Sequence, residues 1–298
     1  MTKIKIGTIH TKASLKQAEY VKTCLADLGI KSEFVWVEED KNNHGLQRKH
    51  AYNETLEDYL LTKKADCVVH NMKHFLKHPA EGLVITAILK RHDVREALIS
   101  KEHQSFLSLP PHAKIAVNGA RRKAQVLSIR SDLDVMVIHE GLDERLHMFN
   151  QGKYDAVMVS LYGLKKMGYD DRLSQVLSID MFPPPISQGA LGIEVRNNDT
   201  EMIALMNSLN DRDSFMEVEA ERACFFTLIG DGVPRDFPVS IYAKVIDAKI
   251  TVKCVVWSLD GSKKIFDHVI FNKEEFLTAG KTLGDVILNQ GAAPFLKS

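Results

Sequence analysis

Hydrophobic and polar positions follow two alternating periods over roughly the first two-thirds of the chain. Apolar side chains recur at helical spacing in Lys12–Leu28, between strand-like runs at Lys3–Thr8 and Glu33–Val37. A helical stretch at Leu56–Lys63 leads into a short strand at Ala65–His70. A second set opens with a strand at Lys114–Val117 and a helix at 121–129, and its later strands are at Asp134–Ile138 and Ala156–Ser160. This alternation of strand and helix predicts parallel sheets whose faces are covered by helices.

The pattern changes after three consecutive prolines, Pro183-Pro184-Pro185. Helices and then strands of period two are predicted beyond them, at 199–209, 211–226, 241–246, 250–257 and 264–271. A turn at Asp260-Gly261 joins the last two strands, and a helix over 273–289 closes the chain. The final third is therefore expected to be α+β, with an antiparallel sheet.

Composition excludes several classes of protein. Of 298 residues, 45% are hydrophobic and 26% charged, which argues against a disordered or collagen-like chain. The 39 basic residues balance 39 acidic ones, so we expect neither a nucleic-acid nor a membrane partner. No apolar run approaches the roughly 18–20 residues that span a bilayer. The four cysteines form no CxxC pair, which predicts reduced thiols and a cytoplasmic location.

Several short segments, in order along the chain, carry a resemblance to a known family. They are Ala65-Asp66-Cys67-Val68-Val69-His70-Asn71-Met72-Lys73-His74, Arg91-His92-Asp93-Val94-Arg95-Glu96-Ala97, Arg121-Arg122-Lys123-Ala124-Gln125, Gly152-Lys153-Tyr154-Asp155-Ala156 with Gly163-Leu164-Lys165-Lys166-Met167-Gly168, Gln188-Gly189-Ala190-Leu191-Gly192-Ile193-Glu194 and Glu221-Arg222-Ala223. Together they resemble the signatures of porphobilinogen deaminase (hydroxymethylbilane synthase), such as A-D-I-A-V-H-S-M-K-D. The chain is accordingly expected to be a divergent member of that family.

The resemblance implies an α/β fold of three domains. The first two would resemble type II periplasmic binding proteins with a shared cleft, and the third would be a small α+β domain with an antiparallel sheet. Matching the pattern to this plan predicts a discontinuous domain 1 at 1–89 and 190–207, domain 2 at 95–183 and domain 3 at 212–298. Family enzymes condense porphobilinogen into a linear tetrapyrrole on a dipyrromethane cofactor, which a thioether attaches to a loop cysteine of domain 3.

Two positions depart from what that chemistry requires. The aspartate that ends the family signature is His74 here, and neutral imidazole lacks the negative charge that stabilises a cationic intermediate. The loop that should hold the cofactor cysteine, Leu228–Asp236, contains none, and Cys224 falls too early, inside a predicted helix. We therefore expect no covalent dipyrromethane and no ordinary deaminase activity.

Cations that would bind substrate carboxylates are partly retained. The resemblance assigns ligand-binding positions to Lys73, Arg121, Arg122, Arg145, Lys166, Gln188 and Thr11. Arginine suits carboxylates because its planar guanidinium donates two parallel hydrogen bonds. The family's first-strand arginine is Ile9, however, and its R-G-N arginine is His139.

Three hypotheses about function remain open. The preferred one is a protein of tetrapyrrole biosynthesis that binds a small carboxylated, pyrrole-type ligand or acts in regulation without deaminase activity. The second is an active transferase that uses a non-covalent primer. The third is an interaction protein, partnered with another enzyme of the pathway. Its cleft would be empty or would bind metal or haem through His10, His74 and His139. These histidines do not have the spacing of metal ligands within one element, so no metal is predicted.

Overall fold

The computed structural model describes residues 3–38, 45–230 and 237–296. Its strands are β1 Ile4–Ile9, β2 Ser32–Val37, β3 Cys67–Asn71, β4 Leu83–Ile88, β5 Glu96–Ser100, β6 Lys114–Val117, β7 Asp134–Val137, β8 Ala156–Ser160, β9 Gln175–Leu177, β10 Leu191–Arg196, β11 Val239–Ile246, β12 Lys249–Trp257 and β13 Lys264–Asn272. Its α-helices are α1 Lys12–Asp27, α2 Gly45–Leu61, α3 Ala120–Ile129, α4 Leu142–Asn150, α5 Leu161–Lys166, α6 Thr200–Asn207, α7 Arg212–Ile229 and α8 Phe276–Asn289. Within those described ranges no helix is both long and apolar enough to cross a membrane.

The first compact unit contains Met1–His92 and Gln188–Phe215. Its sheet has the strand order β2-β1-β3-β10-β4. Strand β1 runs parallel to β2 and β3, whereas β10 runs antiparallel to β3 and β4. Helix α1 packs its buried side chains Ala18, Val21 and Leu25 against this sheet, as the helical spacing predicts.

The second compact unit contains Asp93–Ser187 and Met216–Ser298. Its larger sheet has the order β7-β6-β8-β5-β9, in which β6 is parallel to β7 and β8 while β5 is antiparallel to β8 and β9. Three parallel strands, one antiparallel strand and an edge strand thus follow one another in both sheets. The predicted pair of type II periplasmic-binding-protein-like folds is confirmed.

A third, smaller sheet, β11-β12-β13, is antiparallel throughout, as the period-two pattern predicts. Helix α8 packs on one face of it. Two buried carboxylates of α7 bind backbone amides of β11: Glu221 accepts from Ala243 N at 2.8 Å and Glu217 from Val245 N at 3.0 Å. The predicted antiparallel α+β region is confirmed, while the exact domain boundaries stay a prediction.

Several predicted element bounds hold to within a residue or two, but four strands were not anticipated. Strands β4, β5, β9 and β10 lie in segments that the pattern left unassigned. Two of them, β5 and β10, are buried on both faces, and such strands read as continuous apolar runs without a period. Helix α2 also begins earlier than the predicted start at Leu56, because its first turns carry no apolar period.

Candidate functional site

Two family-like segments lie side by side in the first unit. The antiparallel register of β3 and β10 pairs Gly192 with His70 and Leu191 with Asn71. A Cβ atom on Gly192 would lie 2.4 Å from the sulfur of Met72 and 3.3 Å from Ile88, so only glycine leaves room for the Met72 side chain. The two segments are therefore one packed structure.

A buried hydrogen-bonded network connects these strands to α2. The His70 Nε2 atom lies 2.8 Å from Glu194 Oε2, and His70 Nδ1 lies 3.2 Å from Asn53 Oδ1. The Asn53 amide is oriented by its Nδ2, which donates to the backbone oxygen of His74 at 2.9 Å. Both imidazole nitrogens consequently face side-chain oxygen atoms. Asn53 thereby couples this network to the turn that carries His74.

The turn after β3 holds two of the predicted site residues. Lys73 and His74 belong to a single 3-10 turn at Met72–His74, and both are partly buried. Met72 is fully buried and anchors the turn beneath them. The geometry thus places Lys73 and His74 together at the end of a sheet strand, where α/β folds present ligand-binding groups.

The second unit contains a buried cluster of two arginines and a carboxylate. Arg121 and Arg122 open α3, and both point to Glu96 of β5. Arg122 donates to Glu96 from Nε at 3.1 Å and from Nη2 at 2.8 Å, and Arg121 donates from Nη2 at 2.7 Å. Glu96 is fully buried. Burial would raise its pKa, but the charges and hydrogen bonds of Arg122 and Arg121 outweigh that effect and lower the pKa to about 2.

Arg145 of α4 lies close enough to this cluster to respond to its charges. Burial and then the positive charge of Arg122 lower the Arg145 pKa to about 10, and Glu96 and Glu140 offset this only in part. Its Nη1 atom is fully buried, and no residue of the described chain accepts a hydrogen bond from it. A desolvated guanidinium nitrogen without an acceptor is costly, and a bound anion would relieve that cost.

The remaining predicted site residues have local partners. Thr11 caps α1 and accepts from Ser14 N at 3.1 Å. The Lys166 amine donates to the Tyr162 hydroxyl at 3.0 Å. The backbone oxygen of buried Gln188 accepts from Arg91 Nε at 2.9 Å. These contacts anchor the local structure, and the ligand-binding role of these residues stays a prediction.

The candidate histidines differ in their surroundings. His10 is exposed and stacks on Trp36, with ring centroids 4.3 Å apart. His139 is exposed too, and its backbone nitrogen donates to Glu140 Oε2 at 2.8 Å. Searching residues 3–38, 45–230 and 237–296 finds no group of three side chains able to hold a metal ion. The family resemblance also places His44 in a loop expected to overhang the cleft, and that residue lies outside the described residues.

None of the four cysteines fits the thioether attachment that the family resemblance implies. Cys67, Cys224 and Cys254 are fully buried, and Cys24 is partly buried on α1. Burial raises the Cys67 pKa to about 12, and a hydrogen bond with Cys254, together with burial, raises the Cys224 pKa. A thiol with a raised pKa supplies little of the nucleophilic thiolate. Residues 231–236 of the predicted cofactor loop lie outside the described residues, but their sequence contains no cysteine.

The comparisons with known proteins decide the family. The model named "Porphobilinogen deaminase, dipyromethane cofactor binding domain" matches residues 4–204. The chain belongs to the porphobilinogen deaminase family. Porphobilinogen deaminase of Chlorobaculum tepidum is 32% identical, with 98% of this chain and 96% of that protein covered. The enzyme of Campylobacter jejuni strain RM1221 is 33% identical, with 97% and 92% covered.

Solved structures of other proteins align with this porphobilinogen deaminase family member at lower sequence identity. A YaeC-family lipoprotein of Enterococcus faecalis aligns with TM-score 0.44 and 17% identity, over 70% of this chain and 91% of that one. A periplasmic substrate-binding protein from Coxiella burnetii aligns with TM-score 0.42 and 16% identity, over 70% and 92%.

Sequence reasoning missed the acidic partners of the site. Glu96 and Glu194 both lie in family-like segments, yet no role was predicted for either of them. A signal exists, because each is an acidic residue inside an otherwise apolar strand, and a fully buried carboxylate requires a cation or several donors. Which cation serves which carboxylate depends on contacts that are distant along the chain.

Proposed function

We propose that this porphobilinogen deaminase family member binds a small carboxylated, pyrrole-type ligand beside Arg145 and does not perform dipyrromethane-dependent deamination. The observation that supports ligand binding is the buried Nη1 of Arg145, which has no acceptor among the described residues. Carboxylate oxygens are the acceptors that match a guanidinium best. Tetrapyrrole biosynthesis is the family's setting, so a carboxylated pyrrole is the natural candidate.

The electrostatics around α3 support an anion of low charge. Two arginines of α3 share the single carboxylate of Glu96, and Arg145 adds a third cation nearby. The positive charges therefore exceed the buried negative charge within the cluster. Because Arg121 and Arg122 already donate to Glu96, Arg145 is the arginine with capacity left, and the other two act mainly by their charge.

The loss of deaminase activity rests on two independent features. His74 replaces the aspartate of the family signature, and it can supply no carboxylate to a cationic pyrrole intermediate. The predicted attachment loop has no cysteine in its sequence, and the thiols elsewhere are buried. A loss of preorganised charge of this kind costs on the order of several kcal/mol in the transition state.

Binding is tested by titrating the full chain with porphobilinogen in a calorimeter. We expect saturable binding that weakens about tenfold in Arg145→Met, which corresponds to one lost charge-assisted contact. The matched control is Arg172→Met, an arginine of the same unit whose side chain is 43% exposed. Equal affinity in all three proteins, or no saturable heat, would overturn the binding site.

Activity and cofactor need separate measurements. Intact-mass spectrometry of the purified chain is expected to give the bare polypeptide mass, without a dipyrromethane adduct. Incubation with porphobilinogen is expected to yield no uroporphyrin above a protein-free blank. Turnover with a bare mass would favour the alternative of a non-covalent primer, and turnover with an adduct would overturn both the loss of activity and the loss of cofactor. A protein partner from the pathway and a cytoplasmic location stay predictions.

A further inference from the structure

The second unit contains a cavity of about 300 Å³ beside the last turn of α3. Its walls come from α3, from the segment after β9 and from the three strands of the small sheet. Its lining includes Pro183, Ser240, Lys253, Trp257, Lys264 and Phe266. This volume is at the small end of the range for sites that hold an organic ligand, about 300–1,000 Å³.

Close packing fixes the shape of this cavity. Trp257 and Val255 of β12 form a buried cluster with Ala124 of α3. The turn between β12 and β13 contains Gly261, which has a φ of +73° and lies so near α3 that an added Cβ would be 2.5 Å from Ala124 O. The hairpin is therefore held directly on the helix, and the cavity beside it is preformed.

The polar atoms at the floor of the cavity already have partners. Ser240 Oγ donates to Pro183 O at 2.8 Å, and Gln125 Nε2 donates to the same oxygen at 2.7 Å. Arg121 Nη1 donates to that oxygen as well, at 3.1 Å. A polar ligand group placed here would lose its water without gaining a free partner, so an apolar ring is favoured at the floor.

The rim of the cavity, by contrast, carries charged side chains and an exposed aromatic ring. Lys253 forms an ion pair with Asp180 at 3.6 Å, while Lys264 has no carboxylate within ion-pair distance in the described part of the chain. Phe266, next to Lys264 on the same sheet face, keeps 50% of its surface exposed. An exposed aromatic ring beside an unpaired ammonium suits a ligand that is apolar at one end and anionic at the other.

We propose that this cavity binds a small aromatic carboxylate, with its ring against Trp257 and Phe266 and its carboxylate at Lys264. Neither Arg121, Arg122 nor Arg145 lines this cavity, although Arg121 Nη1 donates to the lining oxygen Pro183 O at 3.1 Å.

Benzoate is a suitable probe, and Trp257 is a built-in reporter. The chain has two tryptophans, so Trp36→Phe leaves Trp257 alone to report on the cavity. Excitation at the red edge of the tryptophan band avoids absorption by benzoate. We expect a saturable change in Trp257 emission, and we expect neutral benzyl alcohol to bind about tenfold more weakly because it lacks the charge.

Two surface substitutions test the geometry, and each has a matched control on the same sheet face. Phe266→Ala and Lys264→Met should each raise the benzoate Kd about tenfold. Ile270→Ala and Lys249→Met remove an equally exposed apolar residue and a lysine outside the cavity lining, and they should leave the Kd within about twofold. All four residues are at the surface, so the variants are expected to fold.

Arg145→Met distinguishes this site from the one proposed for porphobilinogen. It should leave the benzoate titration unchanged. The cavity proposal is overturned if benzoate gives no saturable signal up to about 10 mM, well above the millimolar range of weak sites. It is also overturned if the benzoate Kd is unchanged in Phe266→Ala and Lys264→Met, or if the signal disappears in Arg145→Met alone.

Discussion

The two compact units share a sheet topology, but the buried carboxylate in each has different hydrogen-bond partners. In each unit the strand that runs antiparallel to the others carries one fully buried glutamate, Glu194 in the first and Glu96 in the second. Glu194 has a histidine as partner, and its Oε1 accepts no hydrogen bond from the described residues. Glu96 accepts three hydrogen bonds from two arginines.

This difference shows that the sheet arrangement does not by itself decide the chemistry at the buried strand. The imidazole that faces Glu194 shares one hydrogen bond with it, whereas two guanidinium groups donate three to Glu96. Arginine keeps its proton at any ordinary pH, so the cluster around Glu96 holds a permanent positive excess. The proposed anion site is accordingly in the second unit, whereas the pair in the first unit is connected through Asn53 to the turn at His74.

Removing the charge of Glu96 should have the largest effect. Glu96→Gln leaves two buried guanidinium groups without a carboxylate, and breaking a buried pair in this way costs about 3–5 kcal/mol in the free energy of unfolding. Urea denaturation followed by circular dichroism measures it. Glu33→Gln, which breaks the exposed Lys3–Glu33 pair, is the control and should cost under about 1 kcal/mol. Similar losses of unfolding free energy in Glu96→Gln and Glu33→Gln would contradict the expected difference between the buried and the exposed ion pair.

The second-largest effect is expected from acid, which protonates the Glu96 carboxylate. The Glu96 pKa is lowered from 4.5 to about 2, so its contribution to stability is complete above pH 4.5 and is lost as the pH falls through about 2. A shift of this size corresponds to about 3 kcal/mol of the free energy of unfolding. Stability measured from pH 5 to pH 2 should fall less steeply in Glu96→Gln than in the unaltered chain. Parallel curves for the two proteins would mean that Glu96 does not titrate as described.

The matching change in the first unit should be milder. Glu194→Gln retains a side-chain oxygen that can face His70 Nε2, and only Oε2 of the carboxylate has a hydrogen-bond partner among the described residues, so we expect a loss of about 1–3 kcal/mol. The same urea experiment applies. A loss equal to that of Glu96→Gln would show that the two units manage buried charge alike.

The smallest effect is expected at an exposed pair in the segment that leads into β5. Asp93 and Arg95 are bonded at 2.6 Å, and hydrogen bonds from Arg95 lower the Asp93 pKa. Asp93→Asn should cost less than about 1 kcal/mol, because solvent screens the pair. A larger loss would imply that Asp93 positions the strand that carries Glu96.

The sequence alone determined the family-like segments, most helices and the antiparallel end of the chain. Helical spacing in Lys12–Leu28 and period two in 264–271 are local properties, so they can be read without the fold. The substitution at His74 and the missing loop cysteine are also visible in the sequence. The doubly buried strands β5 and β10 were missed because burial on both faces erases the alternation.

The tertiary structure decided which charges meet. Glu96 lies 26 residues before Arg122, and His70 lies 124 residues before Glu194, so no local pattern could pair them. Strand register brings each pair together, and burial then fixes the strength of each interaction. For the same reason the unmatched nitrogen of Arg145 and the cavity beside Trp257 could not be predicted: both depend on how distant segments pack, whereas the sequence shows only which residues are available.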